Sequence, residues 1–380
     1  MKLEKRKYPH ILFNLLILSV FLLPSSFYSY LICYSLFFMS IKNYNKKINY
    51  MLNLKVLLFV GLFFSFIYNI NEVYLIKDFL VLFNILILFF LFPYFDLKYD
   101  IDYRVILFIT LFILISQLSY IFNLTFISNL IEKIYSHDSE FEFTRFVNTG
   151  RNGGIYYNPN QASKYITMLI VIVFVILKNS NIIRRCVLMG LYFSLLITGS
   201  RTGLFIGLVI FLIEMIVVRK KKILSIVVFI LFSIIYAIYK TISRSLDFKY
   251  SGSLSYKINV LANYLEEVIL DDFFGNFLFG NFTTLYKLIE EKYNMPYLLE
   301  FGFDSEIGML ISSYGVLVLI VVISFYLKEF QKIKGSYILV IIPFIFWPIT
   351  STVLFSIKTS MLYLIILGWS VNKSKSLVKK

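Results

Sequence analysis

Apolar runs separated by short polar connections recur along almost the whole chain. Twelve stand out, at about 9–24, 27–41, 52–70, 75–92, 104–122, 161–178, 183–199, 203–218, 223–240, 305–327, 336–351 and 353–370. A helix needs roughly twenty residues to cross a hydrocarbon layer straight, and several of these runs fall short of that. The pattern predicts an all-α fold, a polytopic integral membrane helical bundle of about twelve transmembrane helices. The first pair, hinged at Pro24-Ser25-Ser26, reads equally as a re-entrant hairpin. Two connections are long. The first, about 123–160, joins an amphipathic piece (Phe126, Ile127, Leu130, Ile131, Ile134) to the acidic residues Asp138, Glu140 and Glu142. The second, about 241–304, places Leu254, Ile258, Leu261, Leu265 and Val268 at helical spacing, as in a helix lying on a membrane surface. Its stretch from Phe273 to Gly280 is apolar but too short to span. The chain thus divides into N-terminal helices (1–122), a first long connection (123–160), central helices (161–240), a large connection (241–304), and C-terminal helices with a basic tail (305–380).

Composition agrees: 59% of residues are hydrophobic and 16% charged, too apolar for a soluble chain of this length. The formal net charge of +15 does not point to nucleic acid, because the positive residues sit in short clusters between apolar runs. Lys42/Lys46/Lys47, Lys98/Arg104, Lys178/Arg184/Arg185, Arg219 to Lys222, Lys328/Lys332/Lys334 and the tail lysines fall on alternate connections. All share the side of the basic N-terminus. The positive-inside rule makes that side cytoplasmic, with both termini on it and both long connections facing outward. The segment Ile11 to Leu23 resembles a signal peptide but lacks a small-x-small cleavage site, so a retained first helix is expected. Cys33 and Cys186 imply no disulfide framework.

Two polar knots fall at outward helix ends. The first holds Gly150-Arg151-Asn152-Gly153-Gly154 and then Asn158-Pro159-Asn160-Gln161-Ala162; the second is Thr198-Gly199-Ser200-Arg201-Thr202-Gly203. Ser200 can cap the returning helix, whose free N–H groups and positive dipole end favour an anion. An arginine there can hold phosphate oxygens bidentately. The plainer reading of Arg201 is an interfacial side chain snorkelling to headgroups. Asn158 and Pro159 are also an ordinary helix start. Arg151 stands in a glycine-flanked loop whose backbone could approach a ligand closely. In the large connection Arg244 and Lys257 are further candidate cations. Asp304, in Asp304-Ser305-Glu306, reads either as a helix-capping carboxylate or as a group that orients or deprotonates a sugar hydroxyl.

Other signals are weaker. Asp100 and Asp102 lie in a short cytoplasmic connection and read as a solvated turn, and His137 as a surface residue. No Cys/His cluster, HExxH or Walker A sequence occurs, so neither metal nor nucleotide cofactor is expected. No run shows the chain of intramembrane acids and bases expected of a proton-coupled transporter.

These residues resemble the bacterial O-antigen polymerase (Wzy) and O-antigen ligase superfamily. The matching pieces are Arg151, Asn158 to Ala162, Thr198 to Gly203, Leu278-Phe279-Gly280, Asp304-Ser305-Glu306 and Tyr314-Gly315-Val316-Leu317, ordered over about residues 140–325. The resemblance implies a GT-C-like, inverting, metal-independent glycosyltransferase at the outer face of the bacterial cytoplasmic membrane. It would move a glycan from undecaprenyl diphosphate to the next lipid-linked repeat unit, with a flippase and a chain-length regulator as companions. Arg201 matches the family's Ser-Arg motif and would bind the diphosphate, with Arg151, Asn158, Asn160 and Ser200 beside it. The second arginine expected in the large connection has no clean counterpart; Lys257 and Arg244 are nearest. Ligases carry a histidine where this chain reads Asp304-Ser305, which favours the polymerase branch. The alternatives are a ligase and a lipid-linked oligosaccharide flippase.

Overall fold

The computed structural model describes residues 4–24, 27–40, 56, 58–63, 84–85, 89, 99–135, 151–156, 158–177, 181–218, 277–280, 305–351, 353–354 and 356–378. Among them every regular element is helical. In chain order these are α1 (Glu4–Leu22), α2 (Phe27–Ser40), α3 (Tyr103–Ile121), α4 (Thr125–Tyr135), a 3-10 turn (Gly154–Tyr156), α5 (Pro159–Ile176), α6 (Asn181–Ile197) and α7 (Arg201–Ile213). A π turn (Glu214–Val218) continues α7; then come α8 (Glu306–Phe330), a 3-10 turn (Gly335–Val340), α9 (Ile341–Thr350) and α10 (Ile357–Val378). Helix occupies the apolar runs wherever they are described. Three helices, α3, α5 and α8, are long and apolar enough to cross a membrane. Expected runs near 52–70 and 75–92 are described only in fragments, and the run near 223–240 lies outside the described residues.

Helix ends follow local chemistry. Asp102 caps α3 by accepting from the Arg104 N–H at 2.9 Å, while Asp100 pairs with Lys373 at 2.5 Å, so this short acidic turn is structural and solvated as expected. Ser305 caps α8, accepting from Gly308 N–H at 3.1 Å; Asp304 lies outside the described residues. Pro348 stands inside α9, which ends at an extended Ser351 where the apolar runs place the break, while α10 begins only at Ile357.

α8 is not a continuous rod. Gly315 adopts φ 78, ψ 173 and divides it into a short first segment and a longer second one. The reason sits on the neighbouring chain. A Cβ on Gly315 would lie 2.0 Å from the Leu278 carbonyl oxygen, and one on Gly280 would lie 2.5 Å from the Ser313 carbonyl carbon. Two backbones therefore meet with no side chain between them, and Gly280 also has positive φ. This is where Leu278-Phe279-Gly280 of the large connection meets Tyr314-Gly315 of the helix.

Interior contacts sort into two ends of the bundle. At one, Tyr135 Oη donates to Leu22 O at 2.5 Å, Lys358 Nζ to Leu23 O, and Asn152 N–H to Ile197 O at 3.2 Å. Burial pushes the Tyr135 phenol up to about 12, keeping it a neutral donor. At the other end, Asp102 N–H donates to Asn14 at 2.8 Å and Trp369 Nε1 to Tyr99 O at 3.2 Å. There too Arg184 and Glu214 form a buried ion pair at 2.6 Å, and Lys334 N–H donates to Ser374 at 3.1 Å. The second end carries Arg104, Arg184, Arg185, Lys328, Lys332, Lys334 and Lys373, the basic clusters assigned to the cytoplasm from sequence.

That polarity predicts a labelling pattern. With Cys33 and Cys186 replaced, single cysteines at Ser139 and Ser253 should react with a membrane-impermeant thiol reagent in intact cells. A cysteine at exposed Lys375 should react only after permeabilisation; Ser374 beside it is buried and would report nothing. Reaction at Lys375→Cys in intact cells, with the other two protected, would invert the orientation.

Candidate functional site

The two polar knots of the sequence meet. Asn158 caps α5, its Oδ1 accepting from Asn160 N–H at 2.8 Å and Gln161 N–H at 3.4 Å, and Pro159 follows where its missing N–H costs nothing. Ser200 caps α7, accepting from Gly203 N–H at 3.2 Å. α6 ends on Gly199 with φ 60, the left-handed turn that reverses the chain. Between these caps lies Asn160. Its side-chain oxygen accepts from Arg151 Nη2 at 3.1 Å and from the Ser200 hydroxyl at 3.1 Å. One carboxamide thereby joins the loop, the start of α5 and the start of α7.

The glycines of the motifs serve this junction. A Cβ on Gly199 would lie 3.0 Å from Arg151 Cγ, so the arginine stem lies across the turn. A Cβ on Gly203 would lie 2.5 Å from Ser163 Cβ, which lets α7 cross α5 closely. Ser163 Oγ and Thr198 Oγ1 stand 3.0 Å apart beneath that crossing. Gly154 corrects an expectation. Its neighbourhood was read as loop backbone open to a ligand, but it has φ 58 and packs on α3, where a Cβ would lie 2.4 Å from Ser116 Oγ. Buried Asn152 fastens the same loop: its Nδ2 donates to Gln117 O at 2.8 Å and its Oδ1 accepts from Gly154 N–H at 2.8 Å. Gln117 in turn donates to Asn152 O at 3.3 Å and Ser194 O at 3.2 Å, and accepts from the Ser194 hydroxyl at 2.5 Å.

Arg201 occupies the first position of α7, two positions earlier than the apolar run suggests. It is exposed, and no hydrogen bond or ion pair engages it among the described residues. Arg151 is half-buried in the junction, against Gly199. The arrangement therefore offers a free guanidinium at a capped helix N-terminus, with a second guanidinium held by Asn160 next to the preceding turn. Both features favour an oxyanion, and Arg201 is open to receive it. Arg244, Lys257 and Asp304 lie outside the described residues. Among the described residues no group of His, Cys, Asp and Glu could hold a metal ion.

Three charges at the starts of apolar runs are buried, and of these Lys164 and Lys358 belong to none of the sequence motifs. Lys164 is 3% exposed on α5, one turn below Asn160; Glu306 opens α8 at 1%; Lys358 lies in the first turn of α10 at 3%. The charge of Lys164 reaches Glu306. Lys358 lies 5.9 Å from the centre of the Tyr165 ring, which stacks on Tyr156 at 4.4 Å. Each lies near the start of its helix, so they do not form a chain of intramembrane acids and bases. A single charge inside each apolar run was the available signal. Neither a protein-family model, a curated protein nor a solved structure matches the chain.

If Asn160 is the shared acceptor, Asn160→Ala leaves two donors without it. It should cost about 1–3 kcal/mol of stability, read as a lowered melting temperature in detergent. Asn160→Asp, which keeps an acceptor oxygen, should lose less. An unchanged melting temperature for Asn160→Ala would remove the junction from the account.

Proposed function

We propose that the chain is an oligosaccharide repeat-unit polymerase, a glycosyltransferase of the outer face of a bacterial cytoplasmic membrane. In this reading about twelve helices span the membrane and both termini are cytoplasmic. Arg201 binds the diphosphate of an undecaprenyl-diphosphate-linked glycan, and a hydroxyl of the next lipid-linked repeat unit displaces it with inversion. The observation that carries the reading is the exposed, unengaged Arg201 at the start of α7, beside the Arg151–Asn160–Ser200 junction. A diphosphate is a good leaving group once its growing charge is neutralised, and guanidinium groups with helix N–H donors do this without a metal. The apolar character of the chain agrees with a donor whose carrier stays in the membrane plane. Arg151 acts through Asn160, which holds it against Gly199, and adds charge next to the leaving group. Asp304 is the proposed acceptor-orienting carboxylate, and Arg244 or Lys257 the cation of the large connection.

Because no hydrogen bond or ion pair engages the Arg201 side chain among the described residues, Arg201→Ala should abolish polymer while leaving the protein level in the membrane unchanged. Arg201→Lys should also be poor, since a single ammonium cannot make the bidentate contact. Glycan analysis of the variant strain reads the result: single lipid-linked repeats are expected. Long unattached chains would indicate a ligase, and loss of all outward repeats a flippase. Normal long chains from Arg201→Ala would refute the role of Arg201.

A further inference from the structure

The first turn of α8 carries a carboxylate that the Arg201 arrangement does not use. Glu306 is 1% exposed, and its Oε2 accepts the backbone N–H of Val353 and, at 2.9 Å, that of Leu354. Both residues lie in the break between α9 and α10, where regular helical acceptors are missing. Backbone donors enclosed by apolar helices must be satisfied inside the protein, and a carboxylate is the strongest acceptor available. Lys164, within electrostatic reach on α5, offsets part of the cost of burying that charge.

The break sets where α10 begins, and the first turn of α10 reaches back to α5. Ser356 Oγ accepts from Gln161 Nε2 at 3.4 Å and from the Thr359 hydroxyl at 3.0 Å. The Thr359 hydroxyl also lies 3.4 Å from Tyr165 Oη. Gln161 directly follows Asn160, the shared acceptor of Arg151 and Ser200. A line of contacts therefore runs from α8, through the break and the start of α10, to the first turn of α5.

We propose that Glu306 is a positioning residue of the candidate site: by holding Val353 and Leu354 it fixes the start of α10, which braces the turn of α5 that carries Asn160. Its effect on activity rests on the polymerase reading; the bracing does not. Glu306 is thus a residue whose carboxylate geometry, rather than any contact with substrate, keeps Arg151 and Ser200 in register.

The test uses the full chain in membranes, with Cys33 and Cys186 replaced and cysteines introduced at Gln161 and Ser356. A short bis-maleimide reads whether the two turns stay together, and the Thr359–Tyr165 contact keeps the brace in this background. A second pair, Asp100→Cys with Lys373→Cys, reports on the opposite end of the bundle. Glu306→Ala should reduce cross-linking of the first pair several-fold and leave the second unchanged. Glu306→Gln should restore the first pair, because its amide oxygen can accept both N–H groups, and polymer yield should fall and recover in parallel. Unchanged cross-linking of the first pair in Glu306→Ala overturns the proposal. Loss at both pairs overturns it too, since the residue would then support the whole fold. Failure of Glu306→Gln to restore the contact excludes the hydrogen-bonded brace. Should cross-linking respond as expected while even the unsubstituted chain makes no polymer, the activity reading fails and the brace stands.

Discussion

A polar atom enclosed by apolar helices has no water to turn to, so its partner has to come from the chain itself. At one end of this bundle that constraint decides nearly everything. Asn160 serves Arg151 and Ser200 at once, and Gln117 ties α3 to the loop at Asn152 and to α6 at Ser194. Each link joins different elements, so the loop, the reversal at Gly199 and the starts of α5 and α7 hold one another in place. Against that background an exposed Arg201 with no partner among the described residues is informative. In the proposed reading that guanidinium is the one left for the lipid diphosphate.

Close packing supplies the rest. α5 and α7 approach until a methyl group at Gly203 would collide with Ser163, and the Gly199 turn presses on the Arg151 stem. Gly154, Gly199 and Gly203 are therefore accounted for by contacts within the chain. This shifts the weight of the anion-site argument from loop backbone to side chains and helix ends.

The parts legible in the sequence are those governed by neighbours in the chain. Apolar runs located most of the described helices, and Asn158 and Ser200 sat where caps were expected because a cap bonds two or three residues away. The pairing of the two polar knots followed from their being the ends of one helical hairpin. What stayed hidden was set across the fold. Nothing near Glu306 announces that it holds N–H groups 47 and 48 residues further on. Gly154 looked like a ligand loop because its real neighbour, Ser116, is distant in sequence. The kink at Gly315 could not be separated from an ordinary helical glycine without Leu278 beside it.

That kink has a consequence for how the chain can change. Gly280 and Gly315 pin the large connection where it approaches the bundle, and the Ser305 cap fixes where it rejoins α8. The chain thus leaves the described residues at Gly280 and re-enters them at Ser305, both against the same helix. Chain entropy penalises lengthening such a closed segment only weakly, about 0.6 kcal/mol for each doubling. With its two ends set by Gly280 and Ser305, a change in length between them leaves the backbone contact at Gly315 and the start of α8 where they are.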